Sequence, residues 1–211
     1  MYAQNRKDFD RYLTEREERQ FFNTIKERMN KESVAGLLNM RDFYMFKIMR
    51  NTGLRVGTLV ALNVLDATAA IQNKKFHLNK EILKGKKQDA KIYCNKKAIE
   101  ALRELLKIRR LLGYPSNDEA PLLMSRKGAR ISIRTTQQRV QYWREVSGID
   151  AKASPHWFRH TLAKRVMKNS TASDPLKTVQ ILLNHSDPRS TAAYTLPDKE
   201  DIVLAAEEIA S

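Results

Sequence analysis

The sequence predicts a mainly α-helical domain with one small antiparallel β-sheet, an α+β fold. Most of the 211 residues fall in segments whose apolar residues recur every three or four positions, the period of an amphipathic helix. Residues 68–93 differ, because short and partly alternating apolar stretches there are separated by breaks rich in lysine and asparagine. Glycine and proline are scarce, at seven and six residues, which is typical of a folded, helix-rich chain.

Helices are predicted first along the N-terminal part of the chain. The segment YLTEREERQFFNTIKERM places Thr14 and Glu17 in the spacing of a capping box and continues with helical periodicity. The segment SVAGLLNMRDFYMFKIMRNTG has the same periodicity and ends at Gly53, a natural C-terminal stop. A short helical piece, VGTLVALN, follows directly.

The predicted sheet lies in residues 68–93, with TAAIQNKKFHL, KEILKG and QDAKIYC as its short segments around a lysine-rich turn. From Asn95, NKKAIEALRELLKIRRLL predicts a long amphipathic helix, and YPSNDEAP a loop. TTQQRVQYWREVSGI predicts a helix that ends near Gly148. Two further helices are predicted in SPHWFRHTLAKRVM, capped by Ser154, and in PLKTVQILLN.

The charge of the chain favours a polyanionic partner. It carries 39 Lys and Arg against 24 Asp and Glu, a formal net charge of +15. DNA, RNA and an anionic membrane all fit such a basic excess. A single cysteine, Cys94, permits no disulfide within the chain and favours a reducing, cytoplasmic setting. No apolar run is long enough to span a membrane, and the charged N-terminus does not resemble a signal peptide.

The segment SPHWFRHTLAKRVM has the most unusual side-chain pattern. His156, Arg159 and His160 are spaced i, i+3 and i+4, so they share a side of the helix near its N-terminus, where an anion is favoured. A solvated basic face with one packed histidine fits the same pattern. A zinc site at His156 and His160 is disfavoured, because Arg159 would lie beside the metal and no glutamate separates the histidines.

Three other stretches carry groups that could serve the same chemistry. Arg55 follows the predicted helix stop in TGLR, and Lys84 stands at the edge of the predicted hairpin. His185 emerges from a helix end at which Asn184 can adopt a left-handed conformation, and Tyr194 comes nine residues later. Each group alone also fits an ordinary surface cation or a half-buried aromatic residue.

Taken in order, the motifs TGLR, KGKK, HWFR and LNHS and the following tyrosine resemble the tyrosine recombinase, or phage integrase, family. The resemblance covers about residues 10–200. It implies the catalytic-domain fold of that family and an enzyme that cleaves and rejoins double-stranded DNA, in integration, excision or inversion. The catalytic residues that it implies are Arg55, Lys84, His156, Arg159, His185 and Tyr194.

The resemblance also implies a role for each of these residues. Tyr194 is the nucleophile and forms a 3′-phosphotyrosyl link, while the two arginines and His185 stabilise the charge on the phosphate oxygens. Lys84 is the general acid for the 5′-oxygen, and His156 is a general base near the tyrosine. No cofactor or metal is implied, because arginines take the place of the cations of a metal nuclease.

Further residues are expected to support this site or to bind DNA. Thr58 stands where the family usually has an acidic residue, so the orientation of Arg55 is expected to be weaker or to depend on another acid. His160 is expected to position Arg159 or a backbone group. The residues expected to contact DNA are Lys86, Lys87, Arg126, Lys127 and Arg134.

The position of Arg55 predicts the domain organisation. Residues 1–196 are expected to form one catalytic domain, since Arg55 comes too early for a separate helical DNA-binding domain ahead of it. The chain resembles short stand-alone members such as the fimbrial-switch invertases, of bacterial, phage or mobile-element origin, or else a fragment of a longer recombinase. A partner recombinase, an accessory protein or a homo-tetramer on DNA is therefore expected. The acidic segment 197–211 is expected to dock on a neighbouring copy or on its own domain.

Two other functions share most of these features. A type IB topoisomerase uses similar tyrosine, arginine and lysine chemistry, but the compact series HWFR, LNHS and Tyr194 favours a recombinase. A non-catalytic DNA-binding factor derived from a recombinase is the alternative of a different class. It has no need of Tyr194, whereas Thr58 is compatible with it.

Overall fold

The computed structural model describes residues 13–83, 88–149, 154–185, 189–192, 194–195 and 205–209. These residues form a mainly helical fold with a two-stranded antiparallel sheet, which confirms the predicted fold class. The elements are α1 (Glu15–Glu27), α2 (Val34–Thr52), α3 (Val56–Ala61), α4 (Val64–Asn73), β1 (Lys75–Leu78), a 3₁₀ helix (Lys80–Ile82), β2 (Ala90–Tyr93), α5 (Lys96–Leu111), α6 (Ile133–Val146), α7 (His156–Asn169), α8 (Pro175–Leu182) and α9 (Arg189–Ala192).

Local capping accounts for the ends of the first two helices. Thr14 and Glu17 form the full capping box at the start of α1, with reciprocal side-chain and backbone hydrogen bonds. Ser33 caps α2 by accepting a hydrogen bond from the backbone of Gly36. At the other end of α2, Gly53 adopts the left-handed conformation with φ of 66°.

The prediction that the sheet region begins at residue 68 is wrong. Residues 64–73 form α4, because Asn63 and Asp66 make a capping box and the buried side chains recur at the helical spacing of Val64, Ala67 and Ala70. The segment KEILKG is not a strand either, since residues 80–82 form a 3₁₀ turn that is capped by Asn79. In both places local capping determines the structure more strongly than the alternating pattern does.

The sheet itself is a hairpin of β1 and β2. The two strands pair antiparallel, with Lys75 opposite Tyr93 and Leu78 opposite Ala90, which confirms the predicted antiparallel pairing for the KFHL and AKIY parts of the predicted segments. Alternate side chains such as Phe76 face the core. The lysine-rich turn that contains Lys84, Lys86 and Lys87 lies outside the residues that the structure describes.

The main core surrounds α2, which packs against α1, α5 and α7. Phe21, Phe46 and Phe158 meet in an aromatic cluster, with the rings of Phe46 and Phe158 stacked at a centroid distance of 5.4 Å. Phe158 therefore anchors α7 to α2. Because His156 and Arg159 lie on the same helix, this packing fixes where their backbone stands.

Two buried ionic networks connect the helices. Asp42 on α2 is fully buried and accepts hydrogen bonds from Arg41, from Arg139 at 2.5 Å and from the Trp143 indole at 2.9 Å. About two turns further along α2, Arg50 pairs with one oxygen of Glu18, which also pairs with Arg165. A buried charge is tolerated only when it is paired in this way, so these networks specify how α1, α6 and α7 pack on α2.

A second, smaller core lies between α7, α8 and the segment after α9. Leu162 and Ala163 on α7 meet Val179 and Leu183 at α8, and Tyr194 packs into the same cluster. This cluster brings the C-terminal motifs next to α7. No helix among the described residues is long and apolar enough to cross a membrane.

Candidate active site

The turn between α2 and α3 holds the first predicted site residue. Gly53 ends α2, and Arg55 is the N-cap residue of α3 with its side chain half-exposed. A Cβ at Gly53 would lie 2.5 Å from Leu183 Cδ2, in addition to the strain of its positive φ. The turn therefore favours glycine here, and any larger residue would also displace the Leu183 side chain.

Arg159 lies at the centre of the site. Its side chain is 6% exposed, and its two terminal nitrogens donate to the carbonyl oxygens of Gly53 and Leu183, each at 2.5 Å. Gly53 and Leu183 each stand two residues before another predicted catalytic residue, Arg55 and His185. One guanidinium thus joins the two turns that carry these residues.

Burial has an electrostatic consequence for Arg159. Loss of hydration lowers the pKa of its guanidinium to about 10; the nearby Arg55 cation adds to this effect and Tyr194 opposes it. The group stays positively charged at neutral pH. Two cations held close together, one of them poorly hydrated, favour the binding of an anion beside them.

The end of α8 presents His185. Asn184 has φ of 49°, which confirms the predicted left-handed conformation after the helix. The chain then turns so that His185 Nδ1 lies 2.8 Å from the Thr191 hydroxyl on α9. Thr191 is 1% exposed, so this hydrogen bond is shielded from water.

Tyr194 lies between two imidazoles. Its ring centroid is 5.3 Å from that of His160 and 6.3 Å from that of His185, with the His185 ring nearly parallel to it. The residue is 7% exposed, and burial raises the pKa of its phenol, while Arg159 and Arg55 act in the opposite direction. The hydroxyl is therefore protonated at neutral pH, and a nucleophilic role would require a proton acceptor nearby.

The two histidines of α7 differ in their surroundings. His156 is exposed in the first turn of α7, and its ring lies 6.2 Å from that of His160. His160 is half-buried and comes next to Tyr194. Helical spacing predicts that the two histidines share one side of α7. It does not predict that His160 packs against Tyr194, because that contact depends on where the chain after α9 lies.

Thr58 is buried one helical turn after Arg55. Its hydroxyl lies 3.4 Å from the carbonyl oxygen of Ile82, a long contact that links α3 to the 3₁₀ turn. Among the described residues no acidic side chain forms an ion pair with Arg55, so no substitute for the missing acid is found there. Lys84 follows this turn but lies outside the described part of the chain.

Three of the predicted DNA-contacting residues are exposed beside α3. Arg126 and Lys127 lie in the turn between the bridged residues Met124 and Arg130. Arg130 holds this turn by donating to the Val60 and Leu62 carbonyl oxygens at the end of α3. Arg134 is exposed in the first turn of α6. Its neighbour Ile133 lies close to Gly57 of α3, because a Cβ added at Gly57 would be 3.6 Å from Ile133 Cδ1. Lys86 and Lys87 lie outside the described residues.

The chain matches the sequence pattern of a known protein family. The sequence model of the Phage integrase family matches residues 11–201. Among curated proteins, tyrosine recombinase XerC of Proteus mirabilis is 31% identical over 158 residues, 75% of this chain and 48% of its own length. XerC of Neisseria meningitidis serogroup B is 32% identical over 171 residues, 81% of this chain and 52% of its own length. The chain thus spans about half the length of the curated relatives it matches.

Solved structures share the fold. The XerA recombinase superposes with a TM-score of 0.72 at 22% identity, and the match covers 93% of this chain and 64% of the XerA chain. The XerH site-specific recombinase, bound to palindromic difH substrate in a post-cleavage complex, has a TM-score of 0.71 at 22% identity, covering 96% of this chain and 54% of the XerH chain. The Tn1549 transposon integrase in complex with transposon right end DNA has a TM-score of 0.64 at 19% identity, covering 95% of this chain and 66% of the integrase chain.

Proposed function

The chain belongs to the phage integrase family, and on this premise we propose that it is a site-specific recombinase that cleaves and rejoins DNA through Tyr194. The observation that carries the proposal is the position of Arg159. Its guanidinium joins the turn before Arg55 to the turn before His185, and Tyr194 packs beside His185 in the same small core. Four groups that are distant in sequence therefore meet at one place.

The proposed role of the cationic groups follows from the charge of the reaction. Attack on a phosphodiester builds negative charge on the non-bridging oxygens in the transition state. Arg55 and Arg159 can stabilise this charge, and Arg159 needs little reorganisation because its side chain is already held by two backbone carbonyl groups. His185 donates a further hydrogen bond to the same phosphate.

The proposed chemical step is an exchange of one ester for another. The Tyr194 oxygen attacks phosphorus, the bond from phosphorus to the 5′-oxygen breaks, and a 3′-phosphotyrosyl link remains. The phenol proton passes to a base, for which we propose His156 with His160 beside it, and Lys84 protonates the leaving 5′-oxygen. Attack by a 5′-hydroxyl reverses the sequence and rejoins the strand.

We also propose the surface that binds double-stranded DNA. The exposed cations Arg126, Lys127 and Arg134 lie around α3, whose first residue follows Arg55 directly. Lys86 and Lys87, which we propose also contact DNA, follow in sequence the 3₁₀ turn that Thr58 contacts, in a part of the chain that the structure does not describe. Such contacts to phosphates set affinity and orientation without fixing the target sequence.

The assembly on DNA is a further part of the proposal. We propose that recombination uses several copies on DNA and that the acidic segment 197–211 docks on a neighbouring copy. Residues 205–209 are helical and exposed, with Ile209 88% exposed, which suits an apolar contact with another surface. A chain without residues 197–211 should bind DNA but form fewer multi-copy complexes in a gel-shift assay, and unchanged assembly would contradict this docking.

A covalent trapping experiment tests the proposed activity without knowledge of the target sequence. The protein is incubated in EDTA with a pool of nicked duplexes whose sequence is randomised, so that the short fragment released by cleavage diffuses away and religation is prevented. We expect SDS-stable protein–DNA adducts from the wild-type protein and none from Tyr194→Phe. Sequencing of the trapped DNA should reveal an enriched site.

The other outcomes separate the alternatives. If the wild-type protein forms no adduct with any duplex, the chain is not a nucleophilic DNA enzyme under these conditions and the DNA-binding factor is favoured. Adducts without sequence enrichment, together with relaxation of supercoiled plasmid, would favour a type IB topoisomerase. Adducts that persist in Tyr194→Phe would contradict the assignment of the nucleophile.

A further inference from the structure

The hydrogen bond between His185 and Thr191 points to a residue that the motifs do not include. Thr191 stands on α9, three residues before Tyr194, and its hydroxyl lies 2.8 Å from His185 Nδ1. We propose that Thr191 is a positioning residue that holds His185 through Nδ1 and thereby presents Nε2–H to the scissile phosphate. The inference rests on the proposed function and extends it.

The chemistry of imidazole decides the direction of this hydrogen bond. A phosphate oxygen only accepts hydrogen bonds, so the histidine that serves it must offer an N–H there. A neutral imidazole has one N–H, and if that proton is on Nε2, Nδ1 must be an acceptor. The Thr191 hydroxyl is a suitable donor to Nδ1, and its burial protects the bond from exchange with water.

The position of Thr191 also connects His185 to the nucleophile. The Tyr194 amide donates to the Thr191 carbonyl oxygen at 3.0 Å, so both residues belong to one turn. The His185 ring is in turn stacked on the Tyr194 ring. When this turn is in place, it fixes both the position of Tyr194 and the ring nitrogen of His185 that carries the proton. His185 can therefore donate a hydrogen bond to the phosphate only when Tyr194 is docked in the site.

The proposal predicts a particular dependence on pH. When His185 is neutral, loss of the Thr191 hydroxyl lets the proton move to Nδ1 or the ring turn, and the phosphate loses its donor. When His185 is protonated, both ring nitrogens carry a proton, so Thr191 matters less. The other titratable or charged groups around the pair are Tyr194 after α9, Arg159 and His160 on α7, and Arg55 before α3. They are the same in the wild-type protein and the variant, so a ratio of rates removes their contribution.

The first test reads the proton position without DNA. Long-range ¹H–¹⁵N NMR distinguishes protonated from unprotonated ring nitrogens, and the chain has only four histidines to assign. In the neutral wild-type protein we expect His185 to carry its proton on Nε2, and in Thr191→Val we expect a mixture of tautomers. A wild-type His185 with its proton on Nδ1 would overturn the proposal, whether or not the protein cleaves DNA.

The second test measures adduct formation as a function of pH. Above the pH at which NMR shows His185 to titrate, Thr191→Val should form adducts about tenfold more slowly than the wild-type protein, and below it the difference should shrink. Thr191→Ser keeps the hydroxyl and should behave like the wild-type protein. Thr178→Val removes a hydroxyl that donates to the local carbonyl oxygen of Asp174, the N-cap residue of α8, and should have no effect.

The outcomes separate this inference from the proposed function. A defect of Thr191→Val that does not change with pH would overturn the inference and indicate a packing role. If Thr191→Val fails to fold, the activity of Thr191→Ser and the wild-type tautomer decide the question. Absence of adducts from the wild-type protein would instead count against the proposed function, while the tautomer measurement would still support or overturn the hold of Thr191 on His185.

Discussion

Arg159 is the residue on which the site depends most. It uses two of its N–H groups to join the Gly53 and Leu183 carbonyl oxygens, and its planar fork still has donors for a phosphate. The same side chain therefore supports the structure and, in the proposed function, supplies charge for the reaction. A lysine could supply the charge but not hold both carbonyl groups in the same geometry, since it lacks the rigid fork.

Replacement of Arg159 by lysine separates these two contributions when it is compared with a matched variant. Arg109 is also buried and donates to the carbonyl oxygens of Pro115, Pro121 and Leu122, away from the site. Both Arg159→Lys and Arg109→Lys should lower the free energy of unfolding by about 1.5–3 kcal/mol in urea titrations. Under conditions in which each is folded, only Arg159→Lys should lose adduct formation, by about 100-fold or more.

A second prediction at the residue scale concerns the Tyr194 phenol. Because burial raises its pKa, the difference in phenolate absorbance between the wild-type protein and Tyr194→Phe should titrate above the ordinary tyrosine value of about 10. A raised pKa in the folded state means that the stability due to neutral Tyr194 is present below pH 10 and is lost as the pH rises through the folded-state pKa. Tyr194→Phe should therefore lose less stability in alkali. A midpoint below 10 would show that the two arginines outweigh burial.

At the scale of elements, the turn from α2 to α3 is the part that assembles the site. Gly53 supplies the left-handed turn, the carbonyl oxygen for Arg159 and the space for Leu183. The turn leads into α3, the carbonyl oxygen binds the arginine of α7, and the absence of a side chain leaves room for the leucine at the end of α8. Gly53 therefore lies where α3, α7 and α8 meet. The site therefore depends on a residue that has no chemical function of its own.

Two glycines allow the effect of packing at this turn to be measured. Gly53 and Gly113 have similar positive φ values of 66° and 70°, but a Cβ at Gly113 would meet nothing within 4 Å. Gly113→Ala should cost about 1–2 kcal/mol of unfolding free energy from backbone strain alone. Gly53→Ala should cost clearly more, and it should lower adduct formation because Leu183 must move. Equal losses in the two variants would mean that α8 adapts without cost.

The same elements show what the sequence could predict and what it could not. Caps and stops are local, so Thr14, Gly53 and Asn184 were predictable from their immediate neighbours. The start of the sheet was missed because the capping box at Asn63 outweighs an ambiguous alternating pattern. The Thr191–His185 bond and the contact of His160 with Tyr194 arise from the packing of α7, α8 and α9, and no local signal reveals them.

At the scale of the whole molecule, the positions of the exposed cations determine how the positive net charge acts on the site. The exposed cations of the 124–130 turn and of α6 lie around α3, while α5 packs on α2 and α4. The net charge of +15 alone predicts attraction to DNA in any orientation. A cluster of cations beside Arg55 would instead hold the phosphate backbone of DNA against the proposed catalytic groups.

The dependence of DNA binding on salt tests this arrangement. Replacement of Arg126, Lys127 and Arg134 by alanine should reduce the slope of log affinity against log salt by about 0.9 for each phosphate that the variant no longer neutralises. A control variant with alanine at Arg103, Lys107 and Arg110, which are exposed on α5, removes the same charge. If both triple variants changed the slope equally, the charge would act through the whole molecule and the proposed surface would be wrong.

The central claim is that Tyr194 becomes joined to DNA in the site that Arg159 assembles, and mapping of the trapped adduct tests it most directly. After nuclease and trypsin digestion, mass spectrometry should find the phosphonucleotide remnant on the peptide of residues 190–199, which contains Tyr194, and the remnant should be strongly reduced in Arg159→Lys. The chain has seven tyrosines, so the alternative outcomes are distinct. A remnant on any other tyrosine, or one on Tyr194 that forms equally well in Arg159→Lys, would contradict the account.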